Sequence, residues 1–267
     1  MAVSHRLSLH SCAGGRIGQR RSGAVLIPPI ERTQQTGSTN ADLLARLSNG
    51  EHVGEGHWLV ADRQTAGRGR LGRGWNDGQG NFMGSTVVHL TIGDPSAATL
   101  ALVAGVALAK AVAALAPGGD AQLKWPNDLL VGGAKCAGIL MERTGNSVVI
   151  GIGVNLVAAP ELPDRPTATL AGQGASIDRD HFAGALGIAM IDALWTWRQE
   201  GVASIVRAWI PRAHPIGTPL RVSEQGIDGF FDGLAEDGAL RLRLGGGETM
   251  LVHAGDVELR RPVEERK

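Results

Sequence analysis

Lys124-Trp125-Pro126-Asn127-Asp128-Leu129-Leu130-Val131-Gly132-Gly133-Ala134-Lys135-Cys136-Ala137-Gly138-Ile139-Leu140-Met141 is the stretch on which the fold turns. Residues 129–131 and 135–142 are apolar enough for strands, and the two glycines between them leave room for a tight hairpin turn, which joins antiparallel strands. Residues 122–125 are a further extended segment. Pro126 biases Trp125 towards extended backbone and brings no N–H to a ladder, so the sheet is interrupted or edged there, with Asn127 and Asp128 at the break. Taken alone, the Trp-Pro-Asn-Asp cluster is equally a plain turn and Lys135 equally a surface lysine. The position of Lys135 before the apolar run 136–141 favours a strand start whose ammonium reaches into a pocket, and Cys136 reads as a small core residue.

Working outward, residues 148–156 form the next strand and include Gly151-Ile152-Gly153-Val154-Asn155. Alternate glycines strip one face of side chains, which suits close approach of a ligand to the backbone, or else a bulge or tight sheet packing. Asp94-Pro95-Ser96 opens an Ala/Leu/Val helix that ends at Pro117-Gly118-Gly119; Lys110 interrupts it, so it reads as a core helix and not a membrane span. Strands are expected at 57–61 and 82–92. Folded sequence is expected to begin near Thr36, where Ser38-Thr39-Asn40 offers capping side chains to a short helix. Helices follow at 178–199 and 202–209, and after Pro211 the pattern changes to short strands at 219–223, 229–234, 239–244, 250–253 and 256–260, parted by glycine-rich turns. The expected fold is α+β: a mixed, largely antiparallel sheet with flanking helices over residues 36–213, then a small β-barrel over 214–262 and a tail at 263–267.

Residues 1–35 are set apart as a disordered extension. Arg6, Arg16, Arg20 and Arg21, with several serines and no acidic residue before Glu31, resemble a transit peptide in composition, or a start codon placed too far upstream. The 267 residues are 43% hydrophobic and 19% charged, as in an ordinary globular chain, and the zero formal net charge excludes a global field that would draw it to nucleic acid or anionic membrane. Two cysteines, Cys12 and Cys136, are too few for a disulfide framework and fit a reducing, cytoplasmic setting.

The densest chemical signal is Gln64-Thr65-Ala66-Gly67-Arg68-Gly69-Arg70-Leu71-Gly72-Arg73-Gly74-Trp75, inside a long glycine-rich loop. Its Gly67-x-Gly69-x-x-Gly72 superficially matches the dinucleotide fingerprint. That match is rejected, because the fingerprint must open a helix and Asn76, Asp77, Gly78 and Gly80 follow. Three guanidiniums on a permissive backbone make instead a cationic strap suited to a phosphate-bearing ligand. A solvated loop or an RNA-binding segment is the plain alternative.

In combination and in this order, Ser38-Thr39-Asn40, Gly67–Trp75, Lys124–Asp128 with Lys135 and Gly138, and Gly151–Asn155 resemble the biotin protein ligase family, from about Thr36 to Arg260. The resemblance implies a class II synthetase-like catalytic domain with an SH3-like C-terminal barrel. It implies that biotin attacks the α-phosphate of Mg-ATP to give biotinyl-5′-AMP, and that a lysine of a biotin carboxyl carrier domain then takes the biotin. On this reading Lys135, Arg68 and Arg70 are catalytic. Ser38, Thr39, Asn40, Gln64, Gly67, Arg68, Gly69, Arg70, Lys135, Gly138, Gly151 and Gly153 bind biotin; Arg70, Arg73, Trp75, Lys124, Asn127, Asn155 and Arg260 face ATP. Asp128 holds Mg²⁺ or orients Lys124. The strap would close over the labile adenylate. A lipoate–protein ligase and a non-catalytic nucleotide- or RNA-binding module are the alternatives. No DNA partner is expected, since the segment before Ser38 lacks two-helix periodicity, and no membrane partner either; monomer and homodimer both stay open.

Overall fold

The computed structural model describes residues 28–260; the first 27 residues with Cys12, and the C-terminal tail, lie outside them. A seven-stranded sheet runs in the spatial order β1 (Ile30–Thr36), β2 (Trp58–Gln64), β3 (Phe82–His89), β7 (Ser147–Val154), β6 (Ala134–Thr144), β5 (Asp128–Val131), β4 (Ala121–Lys124). Only β1 and β2 pair in parallel. The hairpin at Gly132-Gly133 is present, with both glycines in the left-handed conformation that a two-residue turn demands (φ 57° and 75°). Pro126 sits in the turn between β5 and the edge strand β4.

Among the described residues regular structure starts at Ile30 and not near Thr36, so the expected boundary at residue 35 falls inside a strand. Ile-Glu-Arg-Thr-Gln-Gln-Thr carries no apolar alternation because β1 is an edge strand, held by backbone bonds to β2 on one side. Charged and polar residues are what an edge of this kind tolerates.

Alternation in the central strands divides the core. Leu59, Val87 and Val149 face α1 (Thr39–Ser48) and pack with its Leu43. Trp58, Val60, Phe82, Ile150 and Ile152 belong to the larger cluster on the opposite face, built on α2 (Leu100–Leu115), α3 (Arg179–Glu200) and α4 (Val202–Trp209). α2 has the length and apolarity of a membrane span, yet most of it is buried between the sheet and α3. Because α1 is short, it covers one end of its face and leaves the rest of the sheet open as a floor.

The C-terminal module is a five-stranded antiparallel sheet, β11 (Thr249–Val252), β10 (Leu240–Arg243), β9 (Ile227–Leu234), β8 (Pro219–Val222), β12 (Val257–Leu259). Among the described residues no ladder joins β11 to β12, so its hydrogen-bonded ring is open there. Phe231 packs on Trp209, and Trp125 Nε1 donates to the Gly238 carbonyl (3.2 Å), which seats the module against the main sheet beside the β4–β5 turn.

Candidate active site

Register alone aligns most of the site. Gly153 on β7 pairs with Gly138 on β6, Gly138 with Asp128 on β5, and Asp128 with Lys124 on β4, so one row across four strands carries two bare glycines, a carboxylate and an ammonium on the same face. The next row pairs Ser85 with Gly151 and Gly151 with Leu140. Lys135 lies off the row because the β5–β6 ladder slips between Leu129 and Leu130, leaving Cys136 as the extra residue. The bulge brings Lys135 Nζ to 2.6 Å from Asp128 Oδ1, while Lys124 Nζ lies 3.1 Å from Oδ2. Burial pushes the Asp128 carboxyl up, but the two ammonium groups outweigh it and hold the pKa below the ordinary range.

At the other end, α1 begins over the floor. Ser38 caps it, accepting from the Ala41 amide, and Gln64 Oε1 accepts from both the Thr39 amide (2.8 Å) and the Thr39 hydroxyl (3.1 Å). Ser85 Oγ lies 2.7 Å from Thr39 Oγ1 and donates to Asn40 Oδ1, and Asn40 Nδ2 donates to Glu142 (2.9 Å). The result is a preset polar network of donors and acceptors at the closed end of the groove. Asn40 also explains Gly151: a Cβ there would lie 2.9 Å from Asn40 Cγ.

The strap is more regular than its composition suggests. Arg70 to Arg73 make a two-residue turn with Leu71 and Gly72 both at positive φ (56° and 71°), closed by Gly69 N–H to Arg73 O and Trp75 N–H to Gly67 O. No helix follows Gly72, and residues 76–81 run irregularly into β3. Turning back places the Trp75 indole on the glycine floor: a Cβ at Gly153 would lie 2.6 Å from its Cζ2, and one at Gly138 3.3 Å from its Cζ3. Trp75 thus covers the bare faces of Gly138 and Gly153. Its ring stacks where side chains are missing, which local sequence does not reveal.

The arginines separate. Arg68 pairs with Glu142 (3.2 Å), whereas Arg70 and Arg73 both pair with Asp256 at the edge of the C-terminal module. Arg70 also donates to Asn127 Oδ1 (3.1 Å), whose amide is fixed on the Ile139 carbonyl. Asn155 is buried, donates to Ala168 O (3.2 Å) and keeps a buried Oδ1 with no protein partner. Arg260 lines the groove from β12's end with only loose carboxylate neighbours, at 3.7 and 3.9 Å. Every site residue expected from the sequence except Gly67 lines one groove of about 1010 Å³, with Asp256 beside them, while Glu142 supports the groove from outside its lining. Gly67 serves beneath it instead, since a Cβ there would lie 2.6 Å from the Trp75 carbonyl.

Sequence reading missed four contributors. Ser85 and Glu142 were accessible through strand alternation. Asp256 carries no local signal. The segment 160–167, whose prolines interrupt any strand or helix period, is the far wall: the Lys135 amide donates to Pro166 O and its carbonyl accepts from Ala168 (both 2.9 Å), placing Arg165 in the groove. Of the two roles considered for Asp128, the geometry favours orienting lysines. Both of its carboxylate oxygens are engaged, one by Lys135 and the other by Lys124. Mg²⁺ carried on ATP's own phosphates needs few protein ligands.

Fold and groove together define an adenylating type of ligase site, in which cations converge beside a polar recognition pocket under a glycine-rich strap. The model of the Biotin/lipoate A/B protein ligase family matches residues 32–156. The biotin--[acetyl-CoA-carboxylase] ligase of Paracoccus denitrificans is 37% identical over 81% of this chain and 95% of its own length, and that of Mycobacterium tuberculosis is 40% identical over 85% and 88%. Among solved structures, the biotin protein ligase from Aquifex aeolicus in complex with biotin and ATP superposes with a TM-score of 0.75 at 26% identity, covering 88% of this chain and 99% of that one. The chain belongs to the biotin/lipoate A/B protein ligase family.

Proposed function

We propose that this chain forms biotinyl-5′-AMP from biotin and ATP and transfers the biotin to a lysine of a carboxylase's biotin carboxyl carrier domain, in the cytoplasm. In the first step a carboxylate oxygen of biotin bonds to the α-phosphorus, and the bond to the β-phosphate oxygen breaks to release pyrophosphate. In the second, the carrier amine attacks the acyl carbon, loses a proton, and AMP leaves. Both reactants of the first step are anions, so the site must supply positive charge where they meet.

One observation carries the reading. Lys135, clamped by Asp128, shares a single groove with the strap arginines and with the Gln64–Thr39–Asn40 network. On this reading Lys135 and Arg70 neutralise carboxylate and α-phosphate together, and Arg73 accompanies the departing pyrophosphate. The polar network offers fixed partners to a ureido ring, and the Trp75 indole, stacked on the Gly138–Gly153 floor, offers an apolar face to the thiophane and tail. The second-step amine needs access from outside, which the strap's edge of the groove provides.

The test is incubation with a carboxylase carrier domain, Mg-ATP and labelled biotin or labelled lipoate. Covalent ATP-dependent labelling by biotin alone is expected. Labelling by lipoate in its place moves the chain to the other branch of the family, and transfer of neither label refutes the ligase reading.

A further inference from the structure

We propose that Glu142 and Asp256 are positioning residues that divide the strap's three arginines between the two ends of the groove. Glu142 fixes Arg68 at the acyl-substrate end, and Asp256 fixes Arg70 and Arg73 at the nucleotide end. The assignment of ends rests on the proposed function; the tethers themselves do not.

The strap cannot set these positions by itself. Its backbone is closed only by its own turn, and Gly67, Gly69, Gly72 and Gly74 give it little stiffness against rocking over the sheet. Each arginine is instead caught by a carboxylate outside the strap. Glu142 lies on β6, in the same side-chain register as Gly138 and Leu140, and its Oε2 accepts from both Arg68 (3.2 Å) and Asn40 (2.9 Å). Arg68 is therefore tied to the side chain that packs on Gly151. Asp256 immediately precedes β12 of the C-terminal module. Its Oδ1 lies 2.9 Å from Arg70 and its Oδ2 pairs with Arg73, while the neighbouring Gly255 carbonyl accepts from Arg70 (3.3 Å).

Ion pairs this exposed add little stability; side-chain exposures are 27% for Glu142, 17% for Asp256 and 28–45% for the arginines. Their consequence is directional. Two carboxylates on opposite sides of one loop determine which guanidinium meets which substrate, and the C-terminal module thereby acts on the nucleotide through residues it does not itself contain.

The experiment measures biotin-dependent pyrophosphate exchange by the full chain with biotin and Mg-ATP varied in turn. Glu142→Gln is expected to raise KM for biotin about fivefold while KM for ATP stays within about twofold and kcat within about threefold; Asp256→Asn is expected to raise KM for ATP about fivefold with KM for biotin within about twofold and, because it also frees Arg70, to lower kcat. Glu142→Asp and Asp256→Glu should recover part of each loss, and melting temperatures should stay near wild type. Equal rises in both KM values in either variant, unchanged KM values, or a fall in melting temperature without the split overturn the proposal. If wild type shows no exchange with biotin, the functional reading fails, and amide exchange of residues 67–75 then decides the tethers. Faster exchange in both variants supports them, and rates equal to wild type refute them.

Discussion

Replacing Asp128 by Asn keeps the side chain's shape but removes the charge that lets two ammonium groups share one corner. Asp128 is 6% exposed, with Lys135 Nζ at 2.6 Å and Lys124 Nζ at 3.1 Å. Removing one partner of a fully buried ion pair costs about 3–5 kcal/mol. Here the lysine side chains keep 14% and 19% exposure and retain some hydration, so about 2–3 kcal/mol is expected. That is a large part of a typical stability of about 5–15 kcal/mol, yet it leaves the protein folded. Lys135 loses its tether without losing its charge, so adenylate formation should slow by about ten- to a hundredfold, less than if the cation were deleted. The pH dependence has a definite sign. The folded carboxyl titrates below its ordinary 3.8, so its contribution is fully present above that value and is lost as pH falls through the folded pKa. Urea unfolding of wild type and variant should therefore differ at pH 7 and converge in strong acid. A difference below about 0.5 kcal/mol at pH 7, or one that persists unchanged through the acid range, would refute the clamp.

Three further outcomes follow from single contacts. Gly151→Ala places a methyl against Asn40 and should break its bonds to Ser85 and Glu142, weakening biotin binding at least about tenfold by isothermal titration and lowering stability by about 1–3 kcal/mol in urea unfolding. His214 is buried against Phe231, and burial lowers its pKa from 6.5 to about 4. It stays neutral in the fold while the unfolded chain takes up a proton. Its stability contribution is thus intact above pH 6.5 and declines towards pH 4 by about 3 kcal/mol, a limb that His214→Phe should flatten in chemical denaturation across that range. Burial pushes the Cys136 thiol up to about 12, so a Cys12→Ser protein should resist alkylation at pH 8 until denatured, and rapid native labelling would contradict that burial.

Much of this was legible in the sequence because the deciding signals are local. Gly132-Gly133 needs two left-handed residues in succession, and the antiparallel hairpin follows from that. Ser38 names its own helix by the cap it makes, and alternate glycines at 151 and 153 announce a bare strand face. β1 escaped notice because an edge strand has no second neighbour to demand apolar residues, so its pattern is that of a loop.

By itself the sequence determined the mixed sheet, its helices, the C-terminal β module, the rejection of a dinucleotide fingerprint and the main residues of the groove. Each of these depends on backbone preference or on a side-chain period within a few residues. Only the tertiary structure decided what those residues touch. A one-residue slip in β6 directs Lys135 onto Asp128, the strap's turn lays Trp75 on Gly138 and Gly153, and Asp256, more than 180 residues along the chain, claims Arg70 and Arg73. Charge pairing and stacking act through space at short range, and the distance that matters to them is set by how the two β modules pack, which no local pattern encodes.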